Sequence, residues 1–304
     1  MKKMFCYILV LFFIVVKLFG HNFSLDAVYP FQEDSNLDGM IVDGNNLILE
    51  YKDVFFTKPN KTIKFQIKHI YGMPFMELSE NMPKEIAEWD IYEKNKETIQ
   101  TNNRILFLAC KRNSYVTMFA FTKGYSMQFR PVTSTRYDEF GSLYKDCSSF
   151  LIEKSKSYPV ENLRKLTVDT PWIENAKGDG IGEGFTIISN SSQPLGSYLL
   201  IINGYISYEK PYLYEQNGRI KKIKVTGLNS GKSKILNILD TPHPQTVDIS
   251  FITESEDIRV EIVDIYKGSK YDDTCIHYCI TFNEEVVPYE DSIYEFFLSD
   301  DFDK

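Results

Sequence analysis

The chain has 304 residues, of which 43% are hydrophobic and 25% charged, and its formal charge at neutral pH is −8. This is the composition of a globular protein with room for two domains of ordinary size, and it excludes wholesale disorder. The excess of acidic residues, without any dense basic run, argues against nucleic acid and anionic lipid as partners.

The first twenty residues have the pattern of a secretory signal peptide. Lys2 and Lys3 precede an apolar run over 5–16, and a small residue, Gly20, ends the segment. The run is short for a membrane-spanning helix, so we expect cleavage near His21 and no transmembrane segment afterwards, with an uncleaved anchor as the alternative. Loss of three lysines leaves 31 basic against 42 acidic residues, a charge of −11. The sequence thus predicts an exported protein, located in the periplasm, at the outer-membrane surface or outside the cell.

Four cysteines remain after the signal segment: Cys110, Cys147, Cys275 and Cys279. An even number in an exported protein permits disulfides. Cys275 and Cys279 lie four residues apart on one predicted strand, a separation of about 13 Å that exceeds the reach of a disulfide. Cys110–Cys147 is therefore the candidate pair, and four buried thiols are the alternative.

Residues 21–155 predict a β-rich α+β domain of unknown function. Four segments alternate apolar and polar residues or form short apolar runs, as strands do: NLILEYK, TIKFQIKHI, ILFLAC and SYVTMFAFT. Residues 82–97 have Pro83 near their start and apolar side chains at spacings of three, which predicts one helix. We find no catalytic constellation of residues in this region.

The charged, proline-containing stretch 153–165 predicts a domain boundary, which we place after residue 155. Beyond it, seven or eight short strands with turn-rich joints and no strong helix run from GFTIIS to CIHYCITF. This rhythm predicts a mainly β fold with an antiparallel sandwich or jelly roll over 156–286. We expect the remaining residues, 287–304, to form an acidic tail.

Three motifs suggest a cofactor or metal, but none has the spacing that such a site needs. GLNSGKS (227–233) has one residue too few between its glycines for a phosphate-binding loop and predicts a hairpin turn. The glycines of GDGIGEG (178–184) miss the dinucleotide spacing, so we interpret it as a loop with unusual backbone angles. Cys275, His277 and Cys279 alternate along one strand face, which spreads zinc ligands apart and favours core packing. We therefore expect no cofactor and no metal.

Successive loops of an antiparallel sandwich alternate between its two ends. The count places four long loops at one end: 171–183, 204–218, 240–245 and 266–274. Their mixture of flat aromatic faces and directed polar groups suits a sugar. The candidate ligand-binding residues are Trp172, Glu174, Asp179, Tyr205, Arg219, Lys270, Tyr271, Asp272 and Asp273, with Tyr208, Tyr212 and Tyr214 as further aromatic faces. The alternative is that these loops only brace one another.

Four segments in order resemble the discoidin-like domain, also called the coagulation-factor type C fold: PWIENAKGDGIGE, IINGY, NGRIKKIKV and RVEIVDIYKGSKYDDTCI. The variant they resemble precedes the catalytic domain in streptococcal NAD glycohydrolase, and the resemblance covers roughly residues 160–283. It implies a galactose-binding-like jelly roll that binds glycan and aids translocation. The family's Trp, Glu, GDGIGE and YDDTC correspond to Trp172, Glu174, 178–183 and 271–275.

The sequence departs from the family pattern in two places. Gly184 and Phe185 stand where the family has a tryptophan, and LRKLTVDT stands where it has Asn-Ala-Asp-Gly. Residues 21–155 do not resemble the NAD-cleaving domain, so the resemblance does not imply that activity.

Together these patterns predict an exported, non-catalytic binding protein whose jelly roll binds a ligand, with glycan favoured. The alternative is a structural or adhesive envelope protein in which the jelly roll is only a scaffold. An enzyme within residues 21–155 is a third hypothesis that no motif supports.

We expect the mature protein to begin near His21 and to lie outside the cytoplasm, because the basic residues and short apolar run of the first twenty residues are typical of a cleaved secretory signal. N-terminal sequencing of protein recovered from each cell fraction measures both properties. Cytosolic chains that retain Met1 would contradict the assignment.

Overall fold

The computed structural model of the chain describes residues 22–29, 37–43, 46–51, 61–81, 103–112, 115–122, 125–131, 142–189 and 194–288. The expected signal segment, the expected helix over 82–97 and the tail from 289 onward lie outside the described residues. Within those residues strands dominate and the helices are two short ones, so the expected mainly β fold is confirmed.

The N-terminal strands form a closed eight-stranded barrel. In chain order they are β1 (Asn22–Tyr29), β2 (Leu37–Asp43), β3 (Asn46–Tyr51), β4 (Lys61–Ile70), β5 (Met73–Leu78), β6 (Arg104–Arg112), β7 (Tyr115–Thr122) and β8 (Tyr125–Pro131). Each pairs antiparallel with the next strand in the chain, and the pairing of β8 with β1 completes the ring. This is the topology of an up-and-down barrel.

The expected alternation of buried and exposed residues is present along β4 but not along β5 or β6. Along β4, Ile63 and Phe65 are buried while Lys64 and Gln66 are exposed, so one face of the strand packs inward. Every residue of β6 from 105 to 110 is buried. A strand buried on both faces needs a packing layer outside the barrel as well as inside it.

The C-terminal part carries twelve further strands in the described residues. They are β9 (Leu143–Cys147), β10 (Ile152–Glu153), β11 (Lys156–Ser157), β12 (Trp172–Ile173), β13 (Gly184–Ile188), β14 (Tyr198–Asn203), β15 (Gly218–Gly227), β16 (Ser233–Asn237), β17 (Gln245–Asp248), β18 (Ile258–Tyr266), β19 (Thr274–Phe282) and β20 (Val287–Pro288). A 3-10 helix, Val160–Arg164, and a one-turn helix α1, Leu213–Gln216, complete the described elements.

Nine of these strands form a second sheet in the order β17-β14-β19-β15-β18-β13-β9, with β12 on β19 and β16 on β15. A short parallel contact between β15 and β19, at Gly218 and Thr274, joins its two layers. Between the layers lies one apolar core, which includes Trp172, Phe185, Leu199, Ile201, Ile223, Val225, Val260 and Ile276. The expected sandwich architecture is confirmed.

The second sheet begins before the boundary that we expected after residue 155. β9 pairs with β13 and so belongs to the jelly roll. The charged stretch 153–165 is not a linker, because it forms most of the β10–β11 hairpin and the 3-10 helix. The amide of Leu151 donates to the carbonyl of Ile173 at 2.8 Å, and the amide of Ile173 donates to the carbonyl of Tyr158 at 3.4 Å. A charged sequence suits a solvated hairpin as well as a linker, which is why composition alone did not separate them.

The barrel packs on the outer face of the β14–β19 layer, and we call this contact the seam. The apolar side chains buried there are Met73, Phe75, Leu106, Leu108, Phe119 and Phe121 from the barrel and Leu200, Ile202, Ile206, Tyr208, Tyr278 and Ile280 from the jelly roll. β14 and β19 are therefore covered on both faces, one by the sandwich core and one by the barrel.

Arg104 of the barrel and Tyr208 of the jelly roll hold each other across the seam. The Tyr208 hydroxyl donates to the carbonyl of Arg104 at 2.8 Å, and the Arg104 guanidinium donates to the carbonyl of Tyr208 at 3.1 Å. The guanidinium carbon also lies 5.0 Å from the centre of the Tyr208 ring. Burial raises the pKa of Tyr208 to about 12, so the hydroxyl keeps the proton that it donates.

His243 fills a gap beside β6. β6 pairs with β5 as far as Leu106 and with β20 from Cys110 onward, which leaves the backbone between them without a strand on that side. There the amide of Ala109 donates to Nδ1 of His243 at 3.0 Å. Burial, with a smaller contribution from His69, lowers the pKa of His243 to about 3, so the imidazole is a neutral acceptor at physiological pH.

The candidate Cys110–Cys147 disulfide is not formed. Both residues are free thiols. Cys110 packs in the seam, whereas Cys147 packs against the core of the jelly roll. The two residues lie on β6 and β9, in different sheets, and a bridge would require the backbone to move. Cys275 and Cys279 are thiols as well.

Acid should destabilise this fold through the buried imidazoles of His243 and His277. His243 and His277 both have a pKa lowered to about 3 by burial, against 6.5 for an ordinary histidine. Since the unfolded chain binds protons below pH 6.5 and the folded chain only near pH 3, stability is full above pH 6.5 and falls between those values. At pH 5 each histidine should lower the free energy of unfolding by about 2 kcal/mol relative to pH 7.

Substitution of His243→Asn tests this, because asparagine can accept the Ala109 hydrogen bond but does not titrate. Urea unfolding of the full chain at pH 7 and pH 5 should show a loss about 2 kcal/mol smaller in the variant than in the wild type. Lys64→Asn, at an exposed position on β4, is the control and should keep the wild-type loss. Equal losses in wild type and His243→Asn would refute the assignment.

Candidate functional site

The loops 171–183 and 266–274 meet at one end of the jelly roll, as the loop count predicted. The Thr274 amide donates to Oε1 of Glu174 at 3.0 Å, and the Thr274 hydroxyl donates to the carbonyl of Asp179 at 3.0 Å. The Asp179 carboxylate pairs with the Lys267 ammonium at 2.9 Å. The two loops are therefore held together by directed polar contacts as well as by packing.

Glu174 is the brace between these loops. It is fully buried, and its second oxygen accepts the amide of Ala176 at 2.6 Å. Burial raises the pKa of Glu174, while the backbone donors at Thr274 and Ala176 oppose that shift. Gly180, with φ of 71°, passes so close that a Cβ would lie 2.6 Å from the Glu174 carboxyl carbon. This close approach explains why the loop needs glycine at that position.

A third loop, 204–218, supports the 266–274 loop through α1. The carbonyl of Glu215 accepts the amide of Ser269 at 2.9 Å, and the carbonyl of Gln216 accepts the amide of Tyr271 at 2.9 Å. Gly268 lies against this backbone, because a Cβ there would meet the carbonyl oxygen of Gln216 at 2.4 Å. The backbone that carries Lys270 and Tyr271 is thus fixed from below.

Trp172 and Tyr205, expected as stacking faces, are both buried. Trp172 belongs to the sandwich core, its indole nitrogen donates to the carbonyl of Ser149 at 3.1 Å, and Phe185 packs edge-on against its ring. Tyr205 is packed with Tyr158, and burial raises its pKa. Their faces are occupied by protein, so neither ring is available to a ligand.

Arg219 and Glu174, expected as ligand contacts, are likewise used within the protein. Both oxygens of Asp240 accept from the Arg219 guanidinium, at 2.6 and 2.9 Å. The same guanidinium donates to the carbonyls of Tyr214 and Asn217 at 3.0 and 3.2 Å. Arg219 therefore ties the 204–218 loop to the 240–245 loop, as Glu174 ties its own two loops.

The remaining expected residues form what we call the loop surface: Asp179, Lys270, Tyr271, Asp272 and Asp273. Tyr271 is 37% exposed, and the Lys270 ammonium lies 4.8 Å from the centre of its ring. The hydrogen bond from Lys270 to Tyr271 raises the pKa of Lys270, which keeps the amine charged. Burial, together with Glu153 and Asp272, raises the pKa of Asp273.

The β10–β11 hairpin borders this surface, and sequence reasoning missed it. The Lys156 ammonium donates to the Tyr205 hydroxyl at 3.2 Å and lies 4.9 Å from the centre of the Tyr158 ring. Glu153 is near enough to affect the pKa of Asp273. The sequence signal was the short EKSK run, whose alternating charges are typical of an exposed hairpin.

The GLNSGKS segment is the hairpin turn that its spacing predicted. β15 ends at Gly227, and the Gly227 amide donates to the carbonyl of Lys232 at 2.9 Å. The buried Glu256 carboxylate accepts the amides of Asn229 and Ser230 at 3.1 and 2.8 Å. Hydrogen bonds led by the Ser230 amide lower the pKa of Glu256 to about 2. The amides that a phosphate would need are therefore already bound to an internal carboxylate.

Cys275, His277 and Cys279 do not share one strand face. β14 pairs Ile202 with Tyr278 but Asn203 with Ile276, so His277 is an extra residue that breaks the alternation. Cys275 consequently packs with Tyr158, Ile173 and Tyr205, while Cys279 packs in the sandwich core. Across the part of the chain that the structure describes, no cluster of three or more His, Cys, Asp or Glu residues has metal-binding geometry.

No helix of the described residues is long and apolar enough to cross a membrane.

Residues 136–283 match the family model of the NAD glycohydrolase translocation F5/8 type C domain. The resemblance to the discoidin-like family is thereby confirmed, over a range that begins ahead of residue 160. Among solved structures, the family 32 carbohydrate-binding module of C. perfringens NanJ, in complex with galactose, is similar at 15% identity with a TM-score of 0.33. The similarity covers 46% of this chain and 93% of that chain. No curated protein sequence matches the chain.

Glu174→Gln should lower the free energy of unfolding by about 1–3 kcal/mol, because an amide group would leave one of the two buried backbone donors facing another donor. Thermal and urea unfolding of the full chain measure the loss. Asp272→Asn makes the same chemical change at an exposed position of the loop surface and should change stability by less than about 0.5 kcal/mol. Equal effects at the two positions would contradict the bracing role.

Proposed function

We propose that this chain is an exported, non-catalytic binding protein and that its discoidin-like jelly roll binds a glycan at the loop surface. The observation that carries the proposal is the construction of that surface. Exposed Tyr271, Lys270 and Asp272 stand on a backbone that α1 and the buried Glu174 hold in place. A rigid base beneath a few exposed polar and aromatic groups is how ligand sites on loops are usually built.

The chemistry of the loop surface favours a sugar over a purely apolar or purely charged ligand. Tyr271 offers a ring face, and sugar rings have apolar faces that stack on aromatic rings. The carboxylates of Asp272 and Asp273 accept hydrogen bonds from hydroxyls, and the ammonium of Lys270 donates them. The positive charge of Lys270 lies beside the negative charges of Asp272 and Asp273, so the surface does not strongly favour either an anionic or a cationic ligand.

The family match supports a binding role rather than catalysis. The matched family is defined as a translocation F5/8 type C domain, and the match covers the whole jelly roll apart from its last residues. Export rests on the N-terminal segment, whose pattern is that of a secretory signal. We infer no enzymatic activity for the barrel.

The scaffold hypothesis is the second candidate, and the burial of Trp172, Tyr205 and Arg219 favours it. These side chains would be ligand contacts in a site built on large aromatic faces, but here they brace the loops and the core. In that case the exposed residues of the loop surface are solvated and bind no glycan.

Tyr271→Ala and Asp272→Ala separate the two hypotheses. If the loop surface binds glycan, each variant should weaken binding about three- to tenfold on an array of immobilised glycans, because each removes a ring face or an acceptor. The melting temperature should stay within about two degrees, since both side chains are exposed.

The full chain is the material for this experiment, because an isolated jelly roll would expose the apolar half of the seam. Tyr271→Phe keeps the ring and is the matched control, which should retain most of the affinity. A wild-type chain that binds no glycan on the array would refute the proposal and leave the scaffold hypothesis.

A further inference from the structure

The turn between β4 and β5 has an unusual residue at its tip. Ile70 ends β4 and Met73 begins β5, so the turn consists of Tyr71 and Gly72, with φ of 53° and 71°. Two-residue hairpin turns with both φ values positive favour Asn, Asp or Gly, because a bulky side chain is strained there. Residues held in such strained conformations cluster at functional sites. Tyr71 is nevertheless 53% exposed, so core packing does not account for its presence.

Tyr71 belongs to the barrel but lies beside the loop surface of the jelly roll. Its ring is perpendicular to that of Tyr212, with the ring centres 6.0 Å apart. A Cβ on the neighbouring Gly72 would lie 3.5 Å from the ring of Tyr214, within α1. α1 in turn carries the carbonyl that accepts the amide of Tyr271. The tip of the barrel and the loop surface therefore share one support.

Lys270 and Tyr271 rest on the same short helix. The Lys270 ammonium lies 4.8 Å from the centre of the Tyr271 ring, and the Lys270 amide donates to the carbonyl of Gln216 in α1 at 3.2 Å. α1 and the preceding Tyr212 thus link Tyr71 to Lys270 and Tyr271. Tyr71, Lys270 and Tyr271 are exposed, and Tyr212 is half-buried.

We infer that Tyr71 is a ligand-binding residue and that barrel and jelly roll together form one elongated site for an oligosaccharide of several sugar rings. This inference rests on the proposed function and extends it by naming the size of the ligand and a contribution from outside the discoidin-like domain. Two separate ring faces suit two separate sugar units, since one sugar ring stacks on one aromatic face at a time.

The seam makes such a composite site possible. A surface shared between two units that moved independently would have to be ordered each time a ligand bound, at a cost in affinity. Here the apolar cluster, the Arg104–Tyr208 contact and the His243–Ala109 contact fix the barrel against the jelly roll. Tyr71 is therefore held beside the loop surface before ligand arrives.

Tyr71→Asn provides a test that separates binding from stability. Asparagine accepts positive φ more readily than tyrosine, so the melting temperature should stay the same or rise. On an array that presents each sugar as a monosaccharide and as a tetrasaccharide, affinity for the tetrasaccharide should fall about tenfold, and its advantage over the monosaccharide should disappear. Tyr71→Phe, which keeps the ring, should restore the affinity that Tyr71→Asn loses. Ile235→Ala, at an exposed position on β16, controls for the general loss of an exposed apolar side chain and should change neither affinity.

Three results would overturn the inference. Undiminished tetrasaccharide binding by Tyr71→Asn, with binding by the wild type intact, would exclude Tyr71 from the site while leaving the proposed function standing. A marked fall in the melting temperature of Tyr71→Asn, together with lost affinity, would assign Tyr71 a structural role. Absence of glycan binding by the wild type would refute the proposed function and this extension with it.

Discussion

The structure depends on one constraint: the middle layer, β14 and β19, is apolar on both faces. Its inner face closes the sandwich core, and its outer face presents Leu200, Ile202, Tyr278 and Ile280. Such a layer cannot face water, since burying each of these side chains is worth about 1.5–3 kcal/mol. The barrel covers it, and β6 of the barrel is itself buried on both sides for the same reason. The barrel and the jelly roll therefore bury each other's apolar surface, and each would expose that surface to water without the other.

This packing decides which aromatic residues remain for a ligand. The 204–218 loop carries several tyrosines, but Tyr208 and Tyr214 are buried in the seam and Tyr205 packs beneath the β10–β11 hairpin. The exposed tyrosines in this region are Tyr271, whose backbone rests on α1, and Tyr71, at the tip of the β4–β5 turn of the barrel. The buried tyrosines of the 204–218 loop support the exposed ones indirectly, because they fix the backbone of the loop that contacts Tyr71 and Tyr271.

Much of this fold could be predicted from the sequence, and the failures have physical causes. Alternation identified the strands of the jelly roll, and loop parity correctly brought 171–183 beside 266–274. The apolar run YLLII of β14 is the one sequence signal of a layer buried on both sides, since β19 also contains His277 and Thr281. Trp172 looked like a stacking platform because sequence shows residue type but not which way a side chain points. The closed barrel was out of reach, since ring closure depends on a pairing between β8 and β1 that leaves no local pattern.

The loops beneath the loop surface are joined by buried charged groups, Glu174 and Arg219. A buried carboxylate such as Glu174 is a costly brace, because removal of a charge from water offsets much of what its hydrogen bonds contribute. Apolar side chains would hold two loops together at lower cost, as they do throughout the seam. A carboxylate adds direction: its two oxygens fix the amides of Ala176 and Thr274 relative to each other within hydrogen-bonding geometry. Arg219 does the same with the two oxygens of Asp240. The same device is used at the opposite end of the jelly roll, where the buried Glu256 carboxylate accepts the amides of Asn229 and Ser230. Bracing of this kind fixes the backbone beneath the loop surface, as the proposed glycan site requires.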